Sequence, residues 1–251
     1  MIPPILCEPR TYRDMGDTDR FKTFRVVVET SDLYVKALAS LEKETEELIR
    51  ESRAQIKWAI KRRPDILKSL VPLQADPADS PLVLTMISAG LKAGTGPMAA
   101  VAGAVAEFVG KGLLPLSAEV IIENGGDIFL KVDHPVIIGL FAGNSPFSGR
   151  TGIRVESTPI PLGICTSSGT VGPSLSLGVA DAATVVSRDV ALADAVATGV
   201  GNRVHKPGDL KKAVEWGMTV LGVDGVLAIL DDKIAALGDI ELVPLNPLPN
   251  G

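Results

Sequence analysis

The spacing of apolar positions changes several times along the chain, and each change predicts an element. Phe21 to Glu29, in FKTFRVVVET, is β-branched and partly alternating, which predicts a strand. Ser31 or Asp32 is then placed to cap a helix beginning at Leu33. Leu33, Ala37, Leu41, Thr45 and Leu48 recur at helical spacing, and charges fill the other face through Arg53. Helical character extends towards Ile60, and Pro64 stops it. Residues 64–80 are proline-rich and read as a helical turn followed by a loop. Ser80-Pro81 opens a further helix to about Gly90, with proline at the first position, where its missing N–H is harmless. Thr95-Gly96-Pro97 repeats that start signal. The helix it opens, Met98 to Val109, consists largely of Ala, Val and Gly, so neighbours should pack closely on both of its sides.

From Ala118 the pattern becomes that of strands. Ala118–Glu123, Asp127–Val132 and Val136–Ala142 are apolar runs separated by Asn-Gly-Gly and Asp-His-Pro. Asn124-Gly125-Gly126 is a hairpin signal, because these residues tolerate positive φ. Gly152–Glu156 and Leu162–Thr166 predict two more strands, and Ala182–Ser187 a buried strand or helix start. Asp189–Val200 and Gly208–Trp216 predict helices, and Gly225–Leu230 and Ile240–Val243 closing strands. Strands and helices do not alternate as in a doubly wound parallel sheet, so the expected class is α+β: antiparallel sheets with packed helices. Two helix-rich blocks, 31–112 and 189–217, each follow a strand, an order compatible with internal duplication.

Composition narrows the picture. A chain of 251 residues fits one domain spanning 1–251, large enough to need no disulfide or metal staple. Hydrophobic residues make up 46% but aromatics only 4%, with 25 glycines, so the core must bring backbones close together. A net charge of −5 and few rings argue against nucleic acid as a partner. The basic cluster Lys57, Lys61, Arg62 and Arg63 reads as a solvated helix end. Cys7 and Cys165 form no framework: a single long-range disulfide is one option, and reduced thiols are the expectation. No secretory signal opens the chain, which points to a cytoplasmic protein. The most apolar stretch, Leu82 to Val109, is broken by Lys92, Gly94, Gly96, Pro97 and Glu107, so no transmembrane helix is expected. Exposed sheet edges would suit a homodimer.

Four strings have residue types suited to chemistry. Gly94 to Gly103, containing Thr95 and Gly96, is a Gly-rich turn entering a helix, where free N–H groups suit a phosphate or carboxylate. Close helix packing accounts for it equally. Glu123-Asn124-Gly125-Gly126-Asp127 lets a backbone approach a ligand, or is simply a polar hairpin tip. Cys165-Thr166-Ser167-Ser168-Gly169-Thr170 ends an apolar strand with hydroxyls able to bind phosphate or ribose; a nucleophile there would need a base, and no histidine is near in sequence. In Ala193-Asp194-Ala195-Val196-Ala197-Thr198, Asp194 and Thr198 are i and i+4 on one helix face, a partial oxygen shell for Mg²⁺. A buried Asp bonding to a helix N-terminus would explain the same pair. His134 and His205 have no partners at zinc spacing and read as surface residues.

Asn124-Gly125-Gly126-Asp127, Thr166-Ser167-Ser168-Gly169 and Ala193 to Thr198 together resemble the FAD:protein FMN transferase (ApbE) family. There a GG turn, a T-S-G loop and an A-D-A-x-A-T helix occur in this order. The resemblance spans about residues 94–200 and fits an uncharacterised, cytoplasmic branch. It implies an α+β fold with two related T-fold-like halves, Mg²⁺ held by Asp194 and Thr198, and a pocket for FAD or FMN lined by Gly125, Gly126 and Thr166 to Gly169. It also implies FMN transfer or cleavage of the FAD pyrophosphate. The family's His and Asp-Pro-Arg-Thr-Gly segment has no counterpart in Val171 to Val179, VGPSLSLGV. A non-catalytic protein keeping the pocket for a small phosphorylated or carboxylated ligand therefore stands as the second reading, and an enzyme with a different substrate as the third.

Overall fold

The computed structural model describes residues 20–169 and 177–245. Its centre is an eight-stranded antiparallel sheet in the order β1 (Lys22–Val28), β2 (Ser31–Ala37), β3 (Val120–Asn124), β4 (Asp127–Lys131), β7 (Leu162–Ser167), β8 (Ala182–Ser187), β9 (Val223–Leu230) and β10 (Lys233–Gly238). A second sheet joins β5 (Val136–Gly139), β6 (Thr151–Val155) and β11 (Glu241–Pro244). The α+β class read from the strand order is the class observed.

The helices are α1 (Glu42–Arg62), α2 (Asp65–Lys68), α3 (Pro81–Ala93), α4 (Val101–Leu113), α5 (Val190–Gly201) and α6 (Leu210–Met218), with 3₁₀ turns at Pro97–Ala100 and Pro207–Asp209. The order of two strands, helices, two strands occurs twice, as β1–β2, α1–α4, β3–β4 and then β7–β8, α5–α6, β9–β10.

Strand alternation sorts side chains into two cores. Leu33, Val35, Ile122, Phe129, Cys165, Val185 and Val226 meet the helices on one face. Leu130, Ile164, Ala182, Val186, Leu227 and Ile229 meet Val136, Ile153 and Val155 of the small sheet on the other. The big sheet is thus sandwiched, which is why β8 is buried along its whole length.

One expectation is overturned. No helix begins at Leu33; Ser31–Ala37 is strand β2, paired with β1 through Val28↔Ser31 and onwards. Leu33, Val35 and Ala37 are buried at a period of two. The spacing of Leu33 and Ala37 satisfies both periods, and the hairpin at Glu29-Thr30 decides between them. Glu29 there has φ 54. The helix starts only at Glu42. Strand β10 is a second departure: its largely exposed residues carry no strand pattern in the sequence.

Other expectations are borne out. Ser80 Oγ accepts from the Val83 N–H with Pro81 following it, and α3 runs on to Ala93. Helix α4 packs closely on both sides: a Cβ on Gly110 would lie 2.2 Å from the Phe129 ring, and one on Gly112 would lie 2.7 Å from Leu48. The basic cluster at the end of α1 departs in part from the expected solvated helix end: Lys57 and Lys61 are exposed, but the two arginines are paired. Lys57 meets Glu29, and Arg62 and Arg63 clamp the fully buried Asp79 carboxylate at 2.6 and 2.7 Å. Cys165 is a buried free thiol, and Cys7 lies outside the described residues. Among those residues no helix is long and apolar enough to cross a membrane.

Candidate functional site

The double-glycine turn is set by its own strands. Asn124 and Asp127 are register partners across β3 and β4, leaving Gly125 and Gly126 as a two-residue loop with φ of 71 and 107. Both values fit glycine and strain other residues. Glu123 Oε1 accepts from the Gly126 N–H at 2.9 Å and stiffens the turn. The Thr166 N–H donates to Gly126 O at 3.3 Å, bringing the end of β7 against it. The Asn124 Nδ2 donates to Ala102 O at 3.0 Å, which ties the turn to the first turn of α4.

Asp194 approaches from the other side. It lies on α5, whose start is capped by Asp189 accepting from the Leu192 N–H. Its Oδ2 accepts from the Gly103 N–H at 2.8 Å. Asp194 therefore caps α4 from a neighbouring helix, supplying a negative charge where the helix dipole favours one. Gly103 makes this approach feasible: a Cβ there would lie 2.6 Å from Val190 O and 2.8 Å from the Asp194 Cβ.

Two carboxylates thus sit in one buried region. Asp127 is 7% and Asp194 8% exposed. Burial pushes Asp194 up to about 7, although the N–H groups of Gly103 and Ala102 pull it down. Burial, and next the charge of Asp194, push Asp127 well above the ordinary carboxylate range. The Asp127 Oδ1 is buried with no hydrogen-bond partner. A desolvated acid close enough to feel the charge of a second one wants a proton or a cation.

Cys165, the register partner of Asp127, contacts Val190 O through its sulfur at 3.4 Å. Burial and then these two acids push its thiol well up, so it stays protonated and is not an activated nucleophile. Thr166 and Thr184 share a hydroxyl hydrogen bond at 2.9 Å. Ser167 and Ser168 follow, half-buried, and the exposed Gly169 donates its N–H to Ala180 O. Most of the Val171–Val179 stretch lies outside the described residues. Thr198, half-buried, is one helical turn beyond Asp194.

The structure therefore gathers Asn124 to Asp127, Thr166 and Asp194 around the start of α4. Thr95 and Gly96 are placed differently. A Cβ on Gly96 would lie 1.8 Å from Ser69 O, so this glycine serves close packing of the 69–70 backbone. Thr95 is buried, its Oγ1 has no partner, and no hydrogen bond among the described residues joins it to the Asp127 group. The role of Gly103 was hidden in the sequence. Its only signal was an isolated acid in an alanine-rich helix that needed a partner.

Among the described residues no three or more His, Cys, Asp or Glu side chains form a cage for a metal ion. A cation here would instead take two carboxylates, a threonine hydroxyl, and oxygens from water or ligand. That donor set fits Mg²⁺, which keeps waters and ligand phosphates in its shell.

A family model described as "AbpE bacteria" matches residues 13–221. A UPF0280 protein of Methanocella arvoryzae is 41% identical over 193 residues, 76% of this chain and 78% of that protein. One from Methanocaldococcus jannaschii is 38% identical over 229 residues, covering 89% and 93%. Among solved structures, the ApbE protein of Thermotoga maritima superposes with a TM-score of 0.55 at 14% identity, over 86% of this chain and 96% of that one. At that identity the likeness concerns the fold.

Proposed function

Because this chain belongs to the AbpE bacteria family, together with UPF0280 proteins, we propose that it is a Mg²⁺-dependent protein handling a flavin nucleotide. The observation that carries this reading is the buried pair Asp127 and Asp194, with an unpartnered carboxylate oxygen, beside the start of α4 and the double-glycine turn. Asp194 and Thr198 would hold the cation, with the unpartnered Asp127 carboxylate oxygen as a third donor. Bound there, Mg²⁺ would supply Lewis-acid stabilisation of charge on pyrophosphate oxygens. The chain's own groups do the rest. The open side of Gly125, where a Cβ would meet nothing within 4 Å, admits a ligand against the turn. The hydroxyls of Ser167 and Ser168 and the backbone to Gly169 suit ribityl or phosphate oxygens. Asn124 and Gly126 hold the turn in place relative to α4 and β7. The reaction in view is cleavage of the FAD pyrophosphate, giving FMN and AMP with water, or an FMN ester and AMP with an acceptor hydroxyl. The repeated order of strands and helices supports reading the fold as two related halves.

Incubation of the protein with FAD and MgCl₂, with chromatography of the nucleotides and a flavin spectrum of the desalted protein, tests this. AMP release, with FMN either free or retained on the protein, is expected. A second reading, binding without turnover, is favoured by one feature: Val171 to Val179 contains no His, Arg or Asp to assist a leaving group. Retained FAD with no AMP would select it. Neither binding nor release would remove both.

A further inference from the structure

A groove of about 580 Å³ opens between α3, α4 and the ends of β8 and β9, sharing no residue with the site above. This size is within the range of small-ligand clefts. Leu82, Ala104 and Phe108 give it an apolar wall. Its charged residues divide into spent and unspent. Glu107 and Lys111 pair with each other at 2.6 Å. Asp189 caps α5 and lies 3.9 Å from Lys92. Arg188 and Asp224 remain, and neither side chain has a hydrogen-bond or ion-pair partner among the described residues.

Their placement is structural. The ladder runs Val186↔Gly225 and then Ser187↔Val223, so Asp224 is the extra residue of a β-bulge. Bulges re-aim a side chain out of the regular pleat and recur beside functional sites. Opposite it, Ser187 Oγ donates to Gly222 O at 2.7 Å and accepts from the Asp189 N–H at 3.1 Å, which fixes the backbone on both sides of Arg188. An exposed cation, Arg188, and a half-buried carboxylate, Asp224, thus line a single apolar-walled groove without pairing with each other.

We propose that this groove binds a small zwitterion with an apolar side chain, of the α-amino acid class. An anion would pair with Arg188 but face Asp224, and a cation would do the reverse. A ligand carrying both charges pairs with each, whereas a singly charged one gains one pairing and meets one like charge. A carboxylate suits the forked Arg188 guanidinium, an ammonium suits Asp224, and Leu82 and Phe108 take the side chain.

Isothermal titration of the full chain with L-leucine and L-phenylalanine tests this, with 3-phenylpropionate and phenethylamine as single-charge controls. At least one amino acid should bind, and each control at least tenfold more weakly than L-phenylalanine. Arg188→Gln and Asp224→Asn should each weaken binding tenfold or more. Both are surface changes, and unaltered circular dichroism and melting will show that the variants are folded. Absence of binding by both amino acids, equal binding of a single-charge control, or unchanged affinity in both folded variants would overturn the proposal. None of these outcomes bears on flavin.

Discussion

Replacing Gly103 by alanine probes the joint between α4 and α5. A methyl group there would sit 2.6 Å from Val190 O and 2.8 Å from the Asp194 Cβ, distances that force the helices apart. Overpacking of this kind costs about 1–3 kcal/mol. Separation would also stretch the 2.8 Å bond from the Gly103 N–H to the Asp194 carboxylate, and hydrogen bonds to charged groups contribute about 1.5–3 kcal/mol. Alanine's better helix propensity returns about 1 kcal/mol. The net expectation is a loss of about 1.5–5 kcal/mol, from these three contributions taken together. In a chain of this size that lowers Tm by roughly 10 °C. Thermal and urea unfolding of Gly103→Ala against wild type measure it. Gly208→Ala serves as the control, because its added Cβ would meet nothing within 4 Å. A Gly103→Ala protein melting at or above the wild-type temperature would refute the account of this joint.

Three further expectations follow from the same geometry. Gly126→Ala should cost about 1–3 kcal/mol, because φ of 107 is a region that L-residues avoid, whereas Gly125→Ala, at φ 71 and with open space around it, should cost about 1 kcal/mol; equal urea midpoints would contradict the distinction. Asp79→Ala removes a buried carboxylate and leaves Arg62 and Arg63 without it, for a loss of about 3 kcal/mol by calorimetry; an unchanged Tm would mean the clamp is idle. Asp194 titrates at about 7 in the folded chain but near about 3.9 unfolded. The folded state then holds a proton that the unfolded state releases, so this group's contribution is greatest below pH 4, falls as pH rises to about 7, and levels off above. In EDTA, the wild-type urea midpoint should fall between pH 5 and 8 relative to that of Asp194→Asn; a relative rise would reverse the sign and refute the burial of that carboxyl.

Much of the fold was legible because local signals and burial agreed. Ser80-Pro81, Asp189 and Asn-Gly-Gly each ended or opened an element where the structure has it, since caps and tight turns depend on few neighbouring atoms. Leu33 to Ala37 misled because a five-residue window satisfies two periods, and the choice belongs to the β1 and β3 partners. β10 escaped because its residues are largely exposed and carry little apolar alternation; its edge position beside β9 defines it. At the site, the individual strings were visible, but the cap that Asp194 places on α4 joins residues 91 positions apart. Asp127 and Cys165 likewise meet only across the β4–β7 pairing. The bulge at Asp224 leaves no trace in local periodicity, because it is a property of the β8–β9 register.

In the proposed site Asp194 holds a cation that a flavin nucleotide needs. The most direct test is a fluorescence titration of FAD into wild type and Asp194→Asn, each in MgCl₂ and in EDTA, with folding of the variant confirmed by circular dichroism. Wild type should bind FAD at least tenfold more tightly with Mg²⁺ than with EDTA, and the variant should lose this difference. Equal FAD affinity in the two buffers for wild type, or a Mg²⁺ effect that persists in the folded variant, would contradict it.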